Sequence, residues 1–136
     1  MIKTALDIEQ DVYDVAKVYF AGIVGGTVYK DGCRPLDSDN EDVVVSVSNA
    51  NAKQIQAGDV YVNVFVPDIP NETGCKVPDK GRMQYLASMD KGFVSELNDT
   101  YLDYEYSLGS ATQFVRVYNA EQHFVSMKIS FRRITF

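Results

Sequence analysis

Apolar residues recur at every third or fourth position in two stretches of the chain, and this spacing predicts two helices. The first is predicted over residues 7–24, where acidic residues crowd the first turn, as the positive end of a helix dipole favours. Its apolar face consists of Ile8, Val12, Val15, Tyr19 and Ile23. The second is predicted over about residues 80–97, with Asp79 as N-cap and Gly92 as a weak point inside it. Its apolar stripe consists of Met83, Leu86, Met89, Phe93, Val94 and Leu97.

Alternation of apolar and polar side chains predicts six strands in two groups of three. They lie at residues 27–29, 42–48, 60–66, 102–108, 114–118 and 123–131. Tyr61 and Phe65 make the second face of the third strand apolar as well, so we expect both of its faces to be covered. Polar loops are predicted at 49–58 and 67–80, and a hairpin loop at 119–122.

The order of these elements, αβββαβββ, predicts one α+β domain over residues 1–136. Both helices must bury an apolar stripe and the sheet must bury a face. The economical arrangement is a mainly antiparallel sheet with the two helices packed on it. The core is predicted to contain Val62, Val64, Leu86, Phe93 and Ile129.

Charge is unevenly distributed along the chain. The net charge of −6 is opposite in sign to the basic footprint of a nucleic-acid-binding domain. Residues 1–42 carry nine acidic and four basic side chains, a net −5, whereas residues 116–136 carry four basic and one acidic, a net +3. The basic end predicts either a solvated strand face or a local patch that contacts a partner.

Hydropathy and cysteine content indicate the compartment. No stretch approaches the roughly 20 apolar residues that cross a bilayer, and the first residues lack the apolar segment of an export signal. We therefore expect no membrane partner. Two cysteines are too few for a disulfide framework, so free thiols in a reducing cytoplasm are expected.

The strongest candidate for catalysis is the single histidine. His123 together with Cys33 or Cys75 would make a thiol dyad. However, His123 begins a strand just after a turn, Cys33 lies close to a proline, and Cys75 falls in a polar loop. We therefore predict no catalytic residues, and a small thiol enzyme is kept as an alternative.

Metal and phosphate motifs are incomplete. Asp37, Asp39 and Glu41 alternate as in a calcium loop, but the glycine at the sixth position and the glutamate at the twelfth are missing. Glycines at 22–26 end a helix instead of opening one after a strand, which is the wrong context for a dinucleotide site. We predict no metal site and no cofactor.

Several segments resemble small proteins encoded in prophages of gut Bacteroidetes. They are GTVYKDGCRP (26–35), EDVVV (41–45), QIQAG (54–58), VYVNVFVPD (60–68) and EQHFVSMK (121–128). In type and element order these proteins are similar to the tail-terminator or tail-completion proteins of long-tailed phages. The resemblance covers most of the chain and contains no catalytic motif.

The resemblance implies a structural protein that forms a six-fold ring, caps the tail tube and joins it to the head connector. Its partners would be further copies of itself, the tube protein and the connector, with DNA only in passage through the channel. It would lie in the host cytoplasm during assembly and then in the virion tail. Another neck or minor capsid component is the alternative within the same virion.

The charge distribution suggests where such a ring would make contact. Lys128, Arg132 and Arg133 are expected to meet acidic residues of a neighbouring subunit or of the tube. Asp68 and Glu72, in the loop at 67–80, are the further predicted interface residues.

Overall fold

The computed structural model describes residues 1–134, which contain three helices and eight strands. The helices are α1 (Ala5–Tyr19), α2 (Lys80–Ala87) and α3 (Asp90–Thr100). The strands are β1 (Val28–Lys30), β2 (Val43–Ala50), β3 (Ile55–Pro67), β4 (Ile69–Pro70), β5 (Lys76–Val77), β6 (Tyr104–Leu108), β7 (Gln113–Arg116) and β8 (Gln122–Ile134).

Six of these strands form one sheet in the order β1-β2-β3-β8-β6, and β7 also pairs with β8. β3 and β8 pair antiparallel along their whole length, from Ile55 opposite Ile134 to Pro67 opposite Gln122. β6 pairs with the C-terminal part of β8 and β7 with its N-terminal part, so these two short strands lie end to end along one edge. β1 pairs with β2 in parallel. The predicted α+β class, with helices on a mainly antiparallel sheet, is confirmed.

The helices cover one face of the sheet, which we call the inner face. Its β3 and β8 side chains belong to the same buried cluster as the helix residues Ile8, Val12 and Leu97. The five residues predicted for the core are all fully buried: Val62, Val64, Leu86, Phe93 and Ile129. The opposite, outer face carries Tyr61, Asn63 and Phe65 from β3, which are half-buried.

The first helix begins earlier and ends earlier than predicted. Thr4 and Asp7 form a capping box: the Thr4 hydroxyl accepts from the Asp7 amide at 3.1 Å, and the Asp7 carboxylate accepts from the Thr4 amide at 2.9 Å. This box starts the helix at Ala5. The helix ends at Tyr19 with Phe20 as C-cap, and the Phe20 ring packs against Phe93 in the core.

The predicted second helix consists of two shorter helices, α2 and α3, so the predicted order is roughly consistent with the structure and approximate in this detail. The chain breaks at Ser88 and Met89, where the Ser88 hydroxyl donates to the Tyr85 carbonyl at 2.5 Å and competes with the helical pattern. Gly92, which looked like a weak point, lies where α3 approaches α1. A Cβ at Gly92 would stand 2.5 Å from the Tyr19 hydroxyl oxygen, so the Tyr19 side chain would have to shift to admit it.

Two predicted loops contain strand structure. β3 begins at Ile55, so it takes in part of the predicted loop 49–58, and the backbone of Asn49 lies too close to Gly58 for a side chain at that glycine. Within the predicted loop 67–80, β4 and β5 form a small hairpin. Its turn is organised by the Asn71 side chain, whose Oδ1 accepts from the amides of Thr73 and Cys75 at 2.9 and 3.0 Å.

The loop at residues 33–42 crosses one end of the outer face. The Arg34 guanidinium lies 3.9 Å from the centre of the Phe65 ring, and the Phe65 ring packs on Phe124 of β8 at 5.3 Å. Arg34 also donates to the Gln122 side-chain oxygen at 3.0 Å. Phe65 is therefore covered by this loop instead of by a helix.

Candidate interaction surface

An open groove lies beside the end of the sheet where β3 stops and β8 begins. Its volume is about 450 Å³, and one wall is α2 while the other is β7 with the start of β8. Six side chains line it: Pro78, Lys80, Met83, Gln84, Phe114 and His123. Because Phe114 pairs with Val125 and His123 with Val66, both side chains point to the inner side of the sheet. The groove is mainly apolar, and Lys80, Gln84 and His123 supply its polar character.

His123 is held by an acidic residue of the same chain. Its Nδ1 lies 2.7 Å from Asp68 Oδ1, and the Asp68 amide donates to the Glu121 carbonyl at 2.9 Å. The Asp68 carboxylate is largely buried against the imidazole. The predicted interface residue Asp68 therefore anchors the β4–β5 hairpin to β8, and it orients the histidine ring in the groove wall.

The two thiols stand apart from this histidine. Cys33 and Cys75 are both exposed free cysteines, and within residues 1–134 neither makes a hydrogen bond to His123. The arrangement therefore orients an imidazole with a carboxylate but does not pair it with a thiol.

The β7 strand gives the groove an open outer edge. All four of its residues are exposed, and the Phe114 side chain is 53% accessible to solvent. The Val117 amide donates to Gln122, so by antiparallel alternation the backbone N–H and C=O groups of Phe114 and Arg116 point away from β8. These groups can pair with an added strand.

The neighbouring strand β6 is closed by a side chain. Asn98 of α3 donates from its Nδ2 to the Tyr106 carbonyl at 3.0 Å and accepts from the Tyr106 amide at 2.8 Å. The amide group of Asn98 thus occupies the edge position that an additional strand would take. Two strands on the same edge of β8 therefore differ: Asn98 blocks the edge of β6, whereas within residues 1–134 no backbone or side-chain group pairs with the edge of β7.

The predicted basic residues lie in different environments. Arg133 is only 8% exposed; its Nε donates to Asp103 at 2.8 Å and its Nη1 to the Met1 carbonyl at 2.8 Å. Its guanidinium is therefore paired with Asp103 of the same chain. Arg132 is exposed on the outer face opposite Glu105 of β6, and Lys128 is half-buried on the same face. We therefore retain Lys128 and Arg132, and not Arg133, as interface candidates.

Ion pairs inside the chain leave some charges free. Arg34, Arg82 and Arg133 pair with acidic residues, whereas Arg116 and Arg132 have no ion pair among the described residues. Arg116 stands opposite His123 on the inner face, next to the groove. Glu72, another predicted interface residue, is exposed in the turn of the β4–β5 hairpin.

The acidic loop at 33–42 is built around a buried carboxylate. Asp42 is 1% exposed and accepts from Arg34 Nε at 2.9 Å, the Ser38 hydroxyl at 2.6 Å and the Thr27 amide at 2.9 Å. Burial opposes ionisation of Asp42, but the hydrogen bonds from Ser38, Thr27 and Arg34 outweigh it and hold its pKa below the ordinary value. This cluster fixes the loop on the sheet.

The three acids that resemble a calcium loop do not converge. Glu41 forms two hydrogen bonds with the Arg82 guanidinium, at 2.6 and 2.9 Å, and so ties the loop to α2. Asp37 and Asp39 are exposed. Over residues 1–134 the structure contains no group of three or more His, Cys, Asp or Glu side chains arranged to hold a metal ion.

Sequence reasoning missed the groove and its open edge. Phe114 and Val115 are adjacent apolar residues, so β7 has an apolar side chain on each face, and this pattern was a signal for a strand outside the core. The contribution of Lys80 and Pro78 depends on how α2 packs beside β7. No local pattern contains that information.

Comparison with models of known protein families gives no match, and comparison with curated protein sequences gives none either. In the part of the chain that the structure describes, no helix is both long enough and apolar enough to cross a membrane.

Proposed function

We propose that the chain is a structural virion-assembly protein of a long-tailed phage. In this proposal it forms a ring on the end of the tail tube, stops the tube's growth and joins it to the head connector. The identity rests on the sequence resemblance described above.

The observation that best supports an assembly role is the open β7 edge beside an apolar groove. A free strand edge and an exposed phenylalanine are liabilities for a protein that works alone, because they promote unwanted pairing. The same chain closes the adjacent β6 edge with Asn98. An edge left open next to a closed one favours use of that edge by a partner.

The charges support the proposal in two ways. Lys128 and Arg132 present positive charge on the outer face without an ion pair in the described chain, and rim charges of this kind set the register and rate of assembly. The net charge of −6 favours a channel wall that repels DNA phosphates, so DNA passes without binding.

The test uses the purified chain and the tail-tube protein of the same prophage. Tubes polymerised alone and with the chain are imaged by negative-stain electron microscopy. We expect tubes grown with the chain to be shorter and to carry a ring at one end. Tubes of unchanged length without terminal density would overturn the proposal.

The same experiment separates the alternative within the virion. A neck or minor capsid component would bind the head connector and leave tube length unchanged. Pull-down with the connector alone and with the tube alone therefore distinguishes the two assignments.

A further inference from the structure

Leu36 is the most exposed large apolar residue of the described chain. Its relative accessibility is 106%, so its side chain contacts almost nothing in its own chain. It is flanked by Pro35 and by the exposed acids Asp37 and Asp39, which have no ion pair among the described residues. The segment 35–39, which we call the Leu36 loop, therefore presents an apolar tip with negative charge beside it.

The Leu36 loop is held in place by the structure behind it. Arg34 joins Asp42, Phe65 and the Gln122 side chain, and its Nη2 also donates to the Ser38 carbonyl at 3.1 Å. Both ends of the loop are thus fixed to the outer face. A fixed loop loses little conformational entropy when its tip is buried, which favours binding.

The groove between α2 and β7 has the complementary character. Pro78, Met83 and Phe114 form its apolar lining, and Lys80 also lines it. Arg116 is directly opposite the groove residue His123 across the β7–β8 pair. Asp68, beside the groove, is buried against His123 and faces the imidazole, and Asp79, between Pro78 and Lys80, accepts from the Arg82 amide as the N-cap of α2. The groove therefore fits an apolar side chain that carries acidic neighbours.

We propose that the groove of one copy receives the Leu36 loop of the next copy. Leu36 then packs against the apolar lining of the groove, and Asp37 and Asp39 lie near Lys80 and Arg116. The loop is attached to the outer face and the groove opens on the inner side. The contact is therefore between two different surfaces, and such head-to-tail contacts close into a ring when the rotation per copy fits. This inference rests on the proposed function for its assumption that copies assemble, and it deepens that function by naming the two surfaces.

The two native cysteines provide a direct test. Cys33 precedes Leu36 by three positions and Cys75 precedes Pro78 by three positions, and both thiols are exposed. The proposed contact brings Cys33 of one copy near Cys75 of the next. A short bismaleimide added to the assembled protein should produce a ladder of linked species on a denaturing gel.

Single-cysteine variants decide the geometry of the contact. Cys33→Ser and Cys75→Ser should each abolish the ladder, because each link needs one cysteine of each kind. Dimers that persist in either single variant would join like to like, which indicates a symmetric contact and overturns the inference. An assembled wild-type protein that gives no ladder overturns it as well.

A second test removes the apolar tip. Leu36→Ser should weaken self-association about tenfold or more, because the burial of a whole leucine side chain is lost. Leu102→Ser is the matched control, since Leu102 is 93% exposed and lies between α3 and β6, away from the groove. Sedimentation velocity gives the association and thermal unfolding checks the fold. Equal association of both variants would contradict the proposed contact.

Reversing the charges on both sides of the proposed contact tests whether these residues pair. Asp37→Lys with Asp39→Lys should weaken assembly, and so should Lys80→Glu with Arg116→Glu, whereas the four changes together should restore it. If the fourfold variant self-associates as weakly as the two double variants, the proposed pairing of these charges is wrong.

Failure of this inference differs from failure of the proposed function. If Leu36→Ser still caps tubes at normal length, the chain assembles through other surfaces and the function stands. If the wild-type chain neither self-associates nor shortens tubes, the function fails and the contact fails with it.

Discussion

Asp42 offers the sharpest test of how the loop at 33–42 is held. The substitution Asp42→Asn keeps the size of the side chain but places an NH₂ group where one carboxylate oxygen accepted. Oδ2 accepts from both Arg34 and Ser38, and Oδ1 accepts from the Thr27 amide. The new NH₂ group therefore either leaves Arg34 and Ser38 without an acceptor or faces the Thr27 N–H donor to donor. Since Asp42 is 1% exposed, water cannot replace the lost partners.

Asp42→Asn is expected to lower the free energy of unfolding by about 3 kcal/mol, because charge-assisted hydrogen bonds are lost and the Arg34 guanidinium loses its carboxylate partner. For a chain of this length that corresponds to a fall of about 10 °C in Tm. Asp39→Asn, an exposed change in the same loop, is the control and should stay within about 0.5 kcal/mol. Urea unfolding followed by circular dichroism measures both.

The pH dependence follows from the lowered pKa of Asp42. A carboxyl whose folded-state pKa lies below its unfolded value contributes stability above the unfolded value, about 3.9. That contribution is lost as the pH falls through the folded-state pKa. The difference between wild type and Asp42→Asn should therefore be full at pH 7 and shrink in strong acid. A difference below about 1 kcal/mol at pH 7, measured against the same control, would refute the reasoning.

Three further expectations can be checked on the same protein. Val64→Asp should cost more than about 3 kcal/mol because it buries an unpaired charge at a fully buried position; melting like wild type would contradict the β3 assignment. The double variant Cys33→Ser/Cys75→Ser should fold and cap tubes normally in electron micrographs, since both thiols are exposed, and loss of a catalytic activity in it would favour the thiol enzyme. Lys128→Glu with Arg132→Glu should keep the wild-type Tm but slow ring formation, most strongly at low salt. Unchanged assembly rates would show that these two cations do not contact a neighbouring subunit.

The long strands were predictable because their alternation is strict. β8 has a small or charged residue between successive buried ones, and β3 repeats valine at every second position. The same rule extends to Arg133, two positions after the buried Phe131, and places it on the inner face. Its place on the inner face could therefore have been predicted by continuing the pattern two residues further, but its pairing with Asp103 could not.

The break between α2 and α3 was not predictable from periodicity. The apolar stripe from Met83 to Leu97 continues across the break, so its spacing does not mark Ser88 and Met89 as the boundary between two helices. The groove depends on tertiary packing. It exists because α2 packs beside β7 and the start of β8, and neither α2 nor β7 by itself indicates the other.

The edge of β8 contains the strongest structural argument for assembly. Two short strands share that edge, and α3 reaches across to only one of them, where Asn98 satisfies the outward backbone groups of Tyr106. Among residues 1–134 nothing covers the edge beyond Phe114 in this way, although the apolar groove beside it makes exposure costly in water. A contact that fills the groove would also bring a neighbouring chain beside β7, where the free N–H and C=O groups of Phe114 and Arg116 could be paired. The binding of one neighbouring chain would then bury the apolar groove and pair the backbone groups of β7. This is the physical reason to expect the groove and the edge to form one interface.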